Sequence, residues 1–195
     1  MATDIALQRN FKIEQKYLVV GHNTMVIFHL SQQHAVFSSF SYYGNGKYSN
    51  NVTATAKSPL TLPQEQSYIN SGRMRAKEFT LGWRRYLIGD FERNDRFNLY
   101  GSAAFGLMLG RVNNSHNIFI DSNNYHLPVQ PGLARFKRLT VDLALGAEHA
   151  VGGDFYFYME ARAWIPTTDY PSKHLFVNDN APFMGMLGAG FRLLF

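Results

Sequence analysis

The sequence predicts an all-β fold, an eight-stranded antiparallel up-and-down barrel with a filled polar lumen. Three observations lead to this prediction: apolar and polar residues alternate with a period of two, the alternating segments are long, and short connections alternate with long ones. Successive side chains of a strand point to opposite faces, so a period of two indicates strands with one apolar and one polar face. The 195 residues fit one domain, which we place at 1–195.

The alternation is clearest in the second half of the chain, where Phe, Leu, Ile, Val or Ala occupies nearly every second position. The five segments with this pattern are 78–87, 97–110, 138–148, 155–165 and 183–195. Three earlier segments resemble strands by composition, although their patterns leave the faces unassigned; they are 5–17, 24–30 and 34–48. Together these segments make eight predicted strands.

Strand and connection lengths favour a barrel that crosses a membrane. Globular strands have about 5–6 residues, whereas a tilted strand needs about 9–11 residues to cross a bilayer. The segment 97–110 alone exceeds that length. Short connections alternate with long polar segments, as short periplasmic turns and long extracellular loops do in transmembrane barrels. We predict long outer loops near 49–72, 112–135 and 166–182.

The composition of the polar face favours a membrane barrel over a soluble lipocalin-like barrel, which would show the same period. A soluble barrel would carry Lys, Glu, Asp and Thr on its watered face, but here that face holds mainly Gly, Ala, Ser, Met and Tyr with a few charges. We therefore expect the polar face to line the lumen, where its charges form an ion-pair network, because buried charges need partners. The residues predicted for this network are Glu78, Arg84, Asp142, Glu148, Glu160, Arg162 and Arg192.

The apolar face is predicted to contact lipid. Trp83, Tyr17 and Tyr43 are candidates for the aromatic girdles at the two membrane interfaces. The mean hydropathy of -0.22 agrees with this arrangement. Only every second strand residue would face lipid, and the polar residues of the lumen and loops offset the hydropathy of these residues in the mean.

The net charge of +5 is concentrated near the long segments. We interpret this as a basic rim at the outer end of the barrel, suited to the phosphates of lipopolysaccharide, which Arg and Lys pair well. The rim residues are Arg73, Arg75, Lys77, Arg111, Arg135, Lys137 and Arg138. No nucleic-acid-binding motif accompanies the charge, so we expect no nucleic-acid partner.

The sequence offers little support for catalysis. It contains no Cys, which excludes a thiolate metal site and a Cys nucleophile, and we expect no metal and no cofactor. A lipid A-modifying acyltransferase or deacylase would need Ser and His close together near the outer rim. The candidates for that alternative are Ser115 with His116, His126, and Ser172 with His174, none of them in a recognised pattern.

The C-terminal segment Gly190-Phe191-Arg192-Leu193-Leu194-Phe195 resembles that of small outer-membrane β-barrels of the OmpA/OmpX type. The resemblance implies that Gly190, Phe191, Leu193 and Phe195 form the signal read by the outer-membrane assembly machinery. It also implies location in the outer membrane of a Gram-negative bacterium. The expected signal peptide is absent from this chain, and we expect it to have been removed.

These expectations combine into a non-enzymatic role through the extracellular loops, as surface structure, in adhesion or in partner binding, including that of an accessory subunit in an outer-membrane complex. The expected partners are outer-membrane lipids and lipopolysaccharide, the assembly machinery and other outer-membrane proteins. Lipid A modification at the rim and a soluble lipocalin-like binding barrel are the alternatives.

Overall fold

The computed structural model describes residues 1–11, 16–92, 97–167 and 183–194. Eight long strands and one two-residue strand account for most of these residues. The strands are β1 (Ala2–Asn10), β2 (Tyr17–His29), β3 (His34–Ala56), β4 (Glu65–Ile88), β5 (Phe97–His116), β6 (Tyr125–His126), β7 (Gly132–Gly152), β8 (Phe155–Pro166) and β9 (Met184–Leu193). The predicted eight-stranded antiparallel barrel is confirmed, with β6 as an addition outside it.

Every long strand pairs antiparallel with its neighbours, and the pairing of β1 with β9 closes the barrel. Around the barrel the strands follow the order β2-β1-β9-β8-β7-β5-β4-β3, and the pairing of β3 with β2 completes the ring. At one end, here called the short-turn end, β2 passes to β3, β4 to β5 and β7 to β8. At the opposite end, here called the loop end, β1 passes to β2, β3 to β4, β5 to β7 and β8 to β9.

The strands extend further toward the loop end than the sequence predicted. β3 continues to Ala56 and β4 already begins at Glu65, so most of the predicted loop 49–72 is a β-hairpin. β5 and β7 likewise include both ends of the predicted loop 112–135. The outward face of the β3–β4 extension is polar except for Ile69, and its inward face mixes apolar residues such as Val52 and Tyr68 with Asn50 and Asn70, which weakens the alternation that identifies a strand. The predicted loop 166–182 lies almost entirely outside the described residues.

The N-terminal prediction was wrong in its boundaries. The stretch 5–17, predicted as one strand, is divided: β1 ends at Asn10 and β2 begins at Tyr17. Arg9 and Phe11 share the outward face with Ile5 and Leu7, so the pattern continues past the end of β1 without a break. Periodicity alone could not locate this strand end.

The predicted faces of the later strands are confirmed. On β5 the side chain of Phe105 is 77% exposed, whereas Tyr100 is fully buried in the lumen. Trp83 points outward as predicted, but it lies opposite Ala103, about midway between Phe97 and Leu109, so its level does not match a girdle at either membrane interface. Tyr17 and Tyr43 are buried inside instead, and Tyr43 packs edge-on against Trp164 with ring centroids 5.3 Å apart. A shift of one residue exchanges the two faces of a strand, and these two tyrosines come from segments whose faces the sequence left open.

Large side chains fill the lumen. The largest fully buried ones are Trp164, Arg84, Arg192, Tyr43, Tyr86, Tyr100, Tyr156 and Tyr158. A separate cluster of Val52, Ala54, Tyr68, Ile120 and Tyr125 packs the hairpin β3–β4 against the connection 117–131 at the loop end. In the part of the chain that the structure describes, no helix is long and apolar enough to cross a membrane.

Candidate functional site

Two groups of charged residues define the barrel chemically: acids and arginines inside the lumen, and a basic surface outside. Inside, Glu160 on β8 lies between two arginines. Arg84 of β4 donates to Glu160 Oε2 at 3.2 Å, and Arg162 donates through Nε to Glu160 Oε1 at 2.9 Å. All three side chains are almost fully removed from solvent. The Arg84 guanidinium also lies 3.8 Å from the centre of the Tyr100 ring, a cation–π distance.

A second ion pair lies nearer the short-turn end. Arg192 of β9 holds both carboxylate oxygens of Glu148, with Nη2–Oε1 at 2.8 Å and Nε–Oε2 at 3.0 Å. Such a two-point contact is the strongest form of a carboxylate–guanidinium pair. Arg192 also donates to the carbonyl of Phe91 at 3.0 Å, which ties the connection after β4 to the base of the barrel.

The remaining two predicted lumen acids, Glu78 and Asp142, are both buried. Glu78 accepts a hydrogen bond from the Thr140 hydroxyl at 2.7 Å, across the intervening strand β5. The residue of β5 between them is Gly106, where an added Cβ would lie 2.3 Å from Thr140 Oγ1 and 2.8 Å from Glu78 Oε1. The glycine therefore permits the contact between β4 and β7.

Among the residues that the structure describes, the lumen also contains Asp4, an acid that the sequence analysis did not place there. Its carboxylate accepts hydrogen bonds from Tyr158 Oη at 2.7 Å and Asn23 Nδ2 at 2.8 Å. Alternation with Ile5 and Leu7, both exposed, could have placed Asp4 inside, had the face of this short strand been assigned.

The outer surface carries most of the predicted basic rim. Arg73, Arg75 and Lys77 on β4, Arg111 on β5, and Arg135 and Lys137 on β7 are all exposed. The rim prediction was wrong for Arg138, which is buried in the lumen. Its neighbour Lys137 points outward, so the period of two already indicated that Arg138 points inward.

Strand register arranges the exposed cations in rows. Arg75 lies directly opposite Arg111, and Arg111 lies directly opposite Arg135; these three form the arginine row. One step toward the short-turn end, Leu109 lies between Lys77 and Lys137, here called the lysine pair. The next outward row is apolar, with Phe40, Phe79, Leu107 and Leu139 in register. The outer surface therefore changes from apolar to basic directly above this row on β4 and β7, and one outward residue later on β5.

An open groove of about 910 Å³ follows this boundary. It is lined by the arginine row and the lysine pair together with apolar and aromatic side chains, among them Phe40, Tyr42 and Leu109. The Lys77 ammonium lies 5.8 Å from the centre of the Tyr42 ring. The groove thus offers cations and apolar surface to the same ligand.

The predicted Ser–His candidates do not form a catalytic pair in the described residues. Ser115 and His116 are consecutive on β5, so their side chains point to opposite faces. Ser115 donates to the Ser71 carbonyl at 3.3 Å, and the His116 ring packs on Tyr68 with centroids 4.4 Å apart. Burial lowers the pKa of His116. His126 lies on β6, while Ser172 and His174 lie outside the described residues.

Metal ligands are not grouped in the described part of the chain, where no three His, Asp or Glu side chains come close enough to hold an ion.

Of the predicted assembly signal, Gly190, Phe191 and Leu193 lie on β9, whose partners are β1 and β8. Phe191 and Leu193 point outward. Phe195 lies outside the described residues.

The closed antiparallel barrel, with charges inside and an apolar band outside, defines the class: a small eight-stranded β-barrel of the outer-membrane type. Solved structures of that class share its fold. Neisserial surface protein A (NspA) matches with a TM-score of 0.63 and 11% sequence identity, covering 100% of this chain and 95% of that chain. Ail, the attachment invasion locus protein of Yersinia pestis, was solved in complex with the heparin analogue sucrose octasulfate. It matches with a TM-score of 0.50 and 14% sequence identity, covering 97% of this chain and 94% of that chain. No protein-family model and no curated protein matches the sequence.

Proposed function

We propose that this protein is an integral, non-enzymatic β-barrel of the bacterial outer membrane that binds a protein partner through its outer hairpins. One observation carries the membrane location: the outward residues of β8, of β9 and of β7 from Leu139 to Glu148 are apolar, and the charged residues of these stretches lie inside, namely Asp142, Glu148, Glu160, Arg162 and Arg192. A soluble barrel requires the reverse, because water favours charge on its outer face and apolar residues in its core.

The dimensions of the apolar band support this location. The outward residues of β5 from Phe97 to Leu107 lie below the level of the lysine pair and are uncharged; Leu109 lies between the two lysines, and Arg111 of the arginine row follows. Ten residue steps of about 3.4 Å, on a strand tilted by roughly 40°, span about 26 Å along the barrel axis. This matches the apolar band of outer-membrane barrels, about 25 Å tall. The loop end then lies beyond the membrane, on the outer surface.

The tips of the outer connections support partner binding. Leu60 is 92% exposed and Leu62 is 81% exposed between β3 and β4, and Phe119 is 90% exposed between β5 and β7. The two connections are joined by hydrogen bonds from Lys57 N to the Asn124 carbonyl at 2.9 Å and from Tyr125 Oη to the Pro63 carbonyl at 3.0 Å. Exposed apolar side chains on a surface that hydrogen bonds hold in place are typical of protein contact sites. An accessory role in an outer-membrane complex fits this surface.

The partner-binding proposal predicts that Leu60→Ser, Leu62→Ser and Phe119→Ser together abolish capture of an outer-membrane protein partner. The measurement is cross-linking in intact outer membranes, followed by pull-down in mild detergent and mass spectrometry. A matched variant with three outward apolar residues of the band replaced by Ala (Phe79, Leu107 and Leu139) should keep the partner. A wild-type protein that captures no partner, or a tip variant that captures the same one, contradicts the proposal.

The membrane location predicts a position-dependent cost of charge on the outward face of β7. Leu143→Arg, at the middle of the apolar band, should destabilise the barrel by about 2–4 kcal/mol, because the guanidinium must enter hydrocarbon. Leu133→Arg, outward on the same strand but beyond the arginine row, should cost about 0–1 kcal/mol. Both residues are similarly exposed, at 47% and 44%.

The measurement is urea unfolding of both variants in phospholipid vesicles, monitored by heat-modifiable gel migration. The wild type should need detergent or lipid to stay folded. Equal costs at Leu143 and Leu133, or a folded monodisperse protein in detergent-free buffer, would reject the membrane location.

A further inference from the structure

We infer that the arginine row and the lysine pair form one binding site for a diphosphorylated glycolipid of the outer leaflet, which holds its phosphates while the barrel holds its acyl chains. This inference rests on the proposed membrane location. It goes further by naming one site, its ligand class and the atoms that each part of the site recognises.

The first argument is electrostatic. Arg75, Arg111 and Arg135 are directly opposite one another on adjacent strands, and like charges in that position repel. The facing stretches 72–80, 104–116 and 132–142 contain two carboxylates, Glu78 and Asp142, and both are buried in the lumen. No carboxylate of these stretches therefore neutralises the outward cations. An anionic ligand would remove the repulsion, and guanidinium groups match phosphate oxygens with two parallel hydrogen bonds.

The second argument is geometric. Adjacent strands lie about 4.8 Å apart, so the row from Arg75 to Arg135 spans about 10 Å of backbone, and the lysine pair spans the same distance. The two rows spread five positive charges over this width, whereas a single phosphate monoester carries a charge of about −2. Their charge and width together therefore favour a ligand with two phosphates.

The third argument is the level of the site relative to the apolar band. The row immediately below the lysine pair is Phe79, Leu107 and Leu139, with Phe40 packed on Phe79 at a ring distance of 4.8 Å. Leu109 separates the two lysines, and Tyr42 lies beside Lys77. A ligand with phosphates at the arginine row would place acyl chains on this apolar row. A soluble polyanion would use the cations and leave the apolar row unused.

The test compares purified protein in lipid nanodiscs that contain diphosphoryl lipid A, monophosphoryl lipid A or phosphatidylglycerol, with bound lipid counted by native mass spectrometry after release into detergent. The site variant is Arg75→Gln, Arg111→Gln and Arg135→Gln. The control variant, Arg9→Gln, Lys16→Gln and Arg85→Gln, removes the same charge from three exposed positions outside the site. At about 1 kcal/mol per cation, the site variant should lose about 100-fold in affinity for diphosphoryl lipid A.

The control variant should bind as the wild type does, and monophosphoryl lipid A should bind the wild type more weakly than the diphosphoryl form. Equal losses in the two variants would show a general charge effect and overturn the inference, as would equal binding of the two lipid A forms. Heat-modifiable migration of every sample reports membrane insertion separately. A wild type that inserts and lacks lipid preference contradicts this inference alone, whereas a wild type that fails to insert contradicts the proposed function.

Discussion

Replacing Glu160 with Ala is expected to destabilise the barrel by about 3–5 kcal/mol, because the substitution leaves the guanidinium groups of Arg84 and Arg162 buried without their shared carboxylate. Most of the lost stability comes from the two guanidinium charges that remain buried without a counter-charge. Arg84 keeps its contact with the Tyr100 ring, which compensates for only part of the lost ion pair. The measurement is equilibrium unfolding by urea in phospholipid vesicles.

Glu65→Ala is the matched control, since Glu65 is an exposed carboxylate on β4 at the loop end, and it should change stability by less than about 0.5 kcal/mol. Removing all three charges with Arg84→Met, Glu160→Leu and Arg162→Met should give a barrel closer to wild type than Glu160→Ala alone, because the two guanidinium groups are then no longer buried without their shared carboxylate. A Glu160→Ala barrel as stable as the Glu65→Ala barrel would contradict this account of the lumen.

The second large effect concerns barrel closure. Gly190 of β9 lies opposite Asp4 of β1, and a Cβ added to Gly190 would lie 2.0 Å from the Thr3 carbonyl oxygen and 2.6 Å from the Asp4 Cα. These are backbone atoms, so no rotamer change can relieve the overlap. Gly190→Ala should therefore push β1 and β9 apart at the closing seam and cost about 3 kcal/mol, the upper end of the usual range for overpacking.

Gly101→Ala on β5 is the control, because its added Cβ would meet no atom closer than 3.9 Å. Refolding of both purified variants into detergent, followed by heat-modifiable migration and urea unfolding, measures the difference. A purified Gly190→Ala barrel that refolds like Gly101→Ala would contradict the steric account. If that barrel failed only in cells, the result would assign Gly190 to the assembly signal instead.

Alternation predicted the parts of the fold that lie within the apolar band and failed outside it. Phe105 and Tyr100 follow the predicted faces because lipid and a packed lumen impose opposite demands on neighbouring residues. In the hairpin beyond the arginine row the outward face is polar and the inward face mixes polar with apolar side chains, so the sequence predicted a loop where β3 and β4 continue. The inward direction of Arg138 was available from the same period of two, although its closeness to other basic residues favoured the rim.

The sequence by itself determined that this chain is a long-stranded barrel with lipid-facing and lumen-facing sides, because side-chain direction on a strand is a local property of the backbone. The partners of the charges were decided only by the tertiary structure. Glu160 and Arg84 are 76 residues apart in sequence, and Arg75, Arg111 and Arg135 come from three strands. Which residues become neighbours depends on the register of each strand pair and on closure of the barrel, and neither is encoded in the pattern of any single strand.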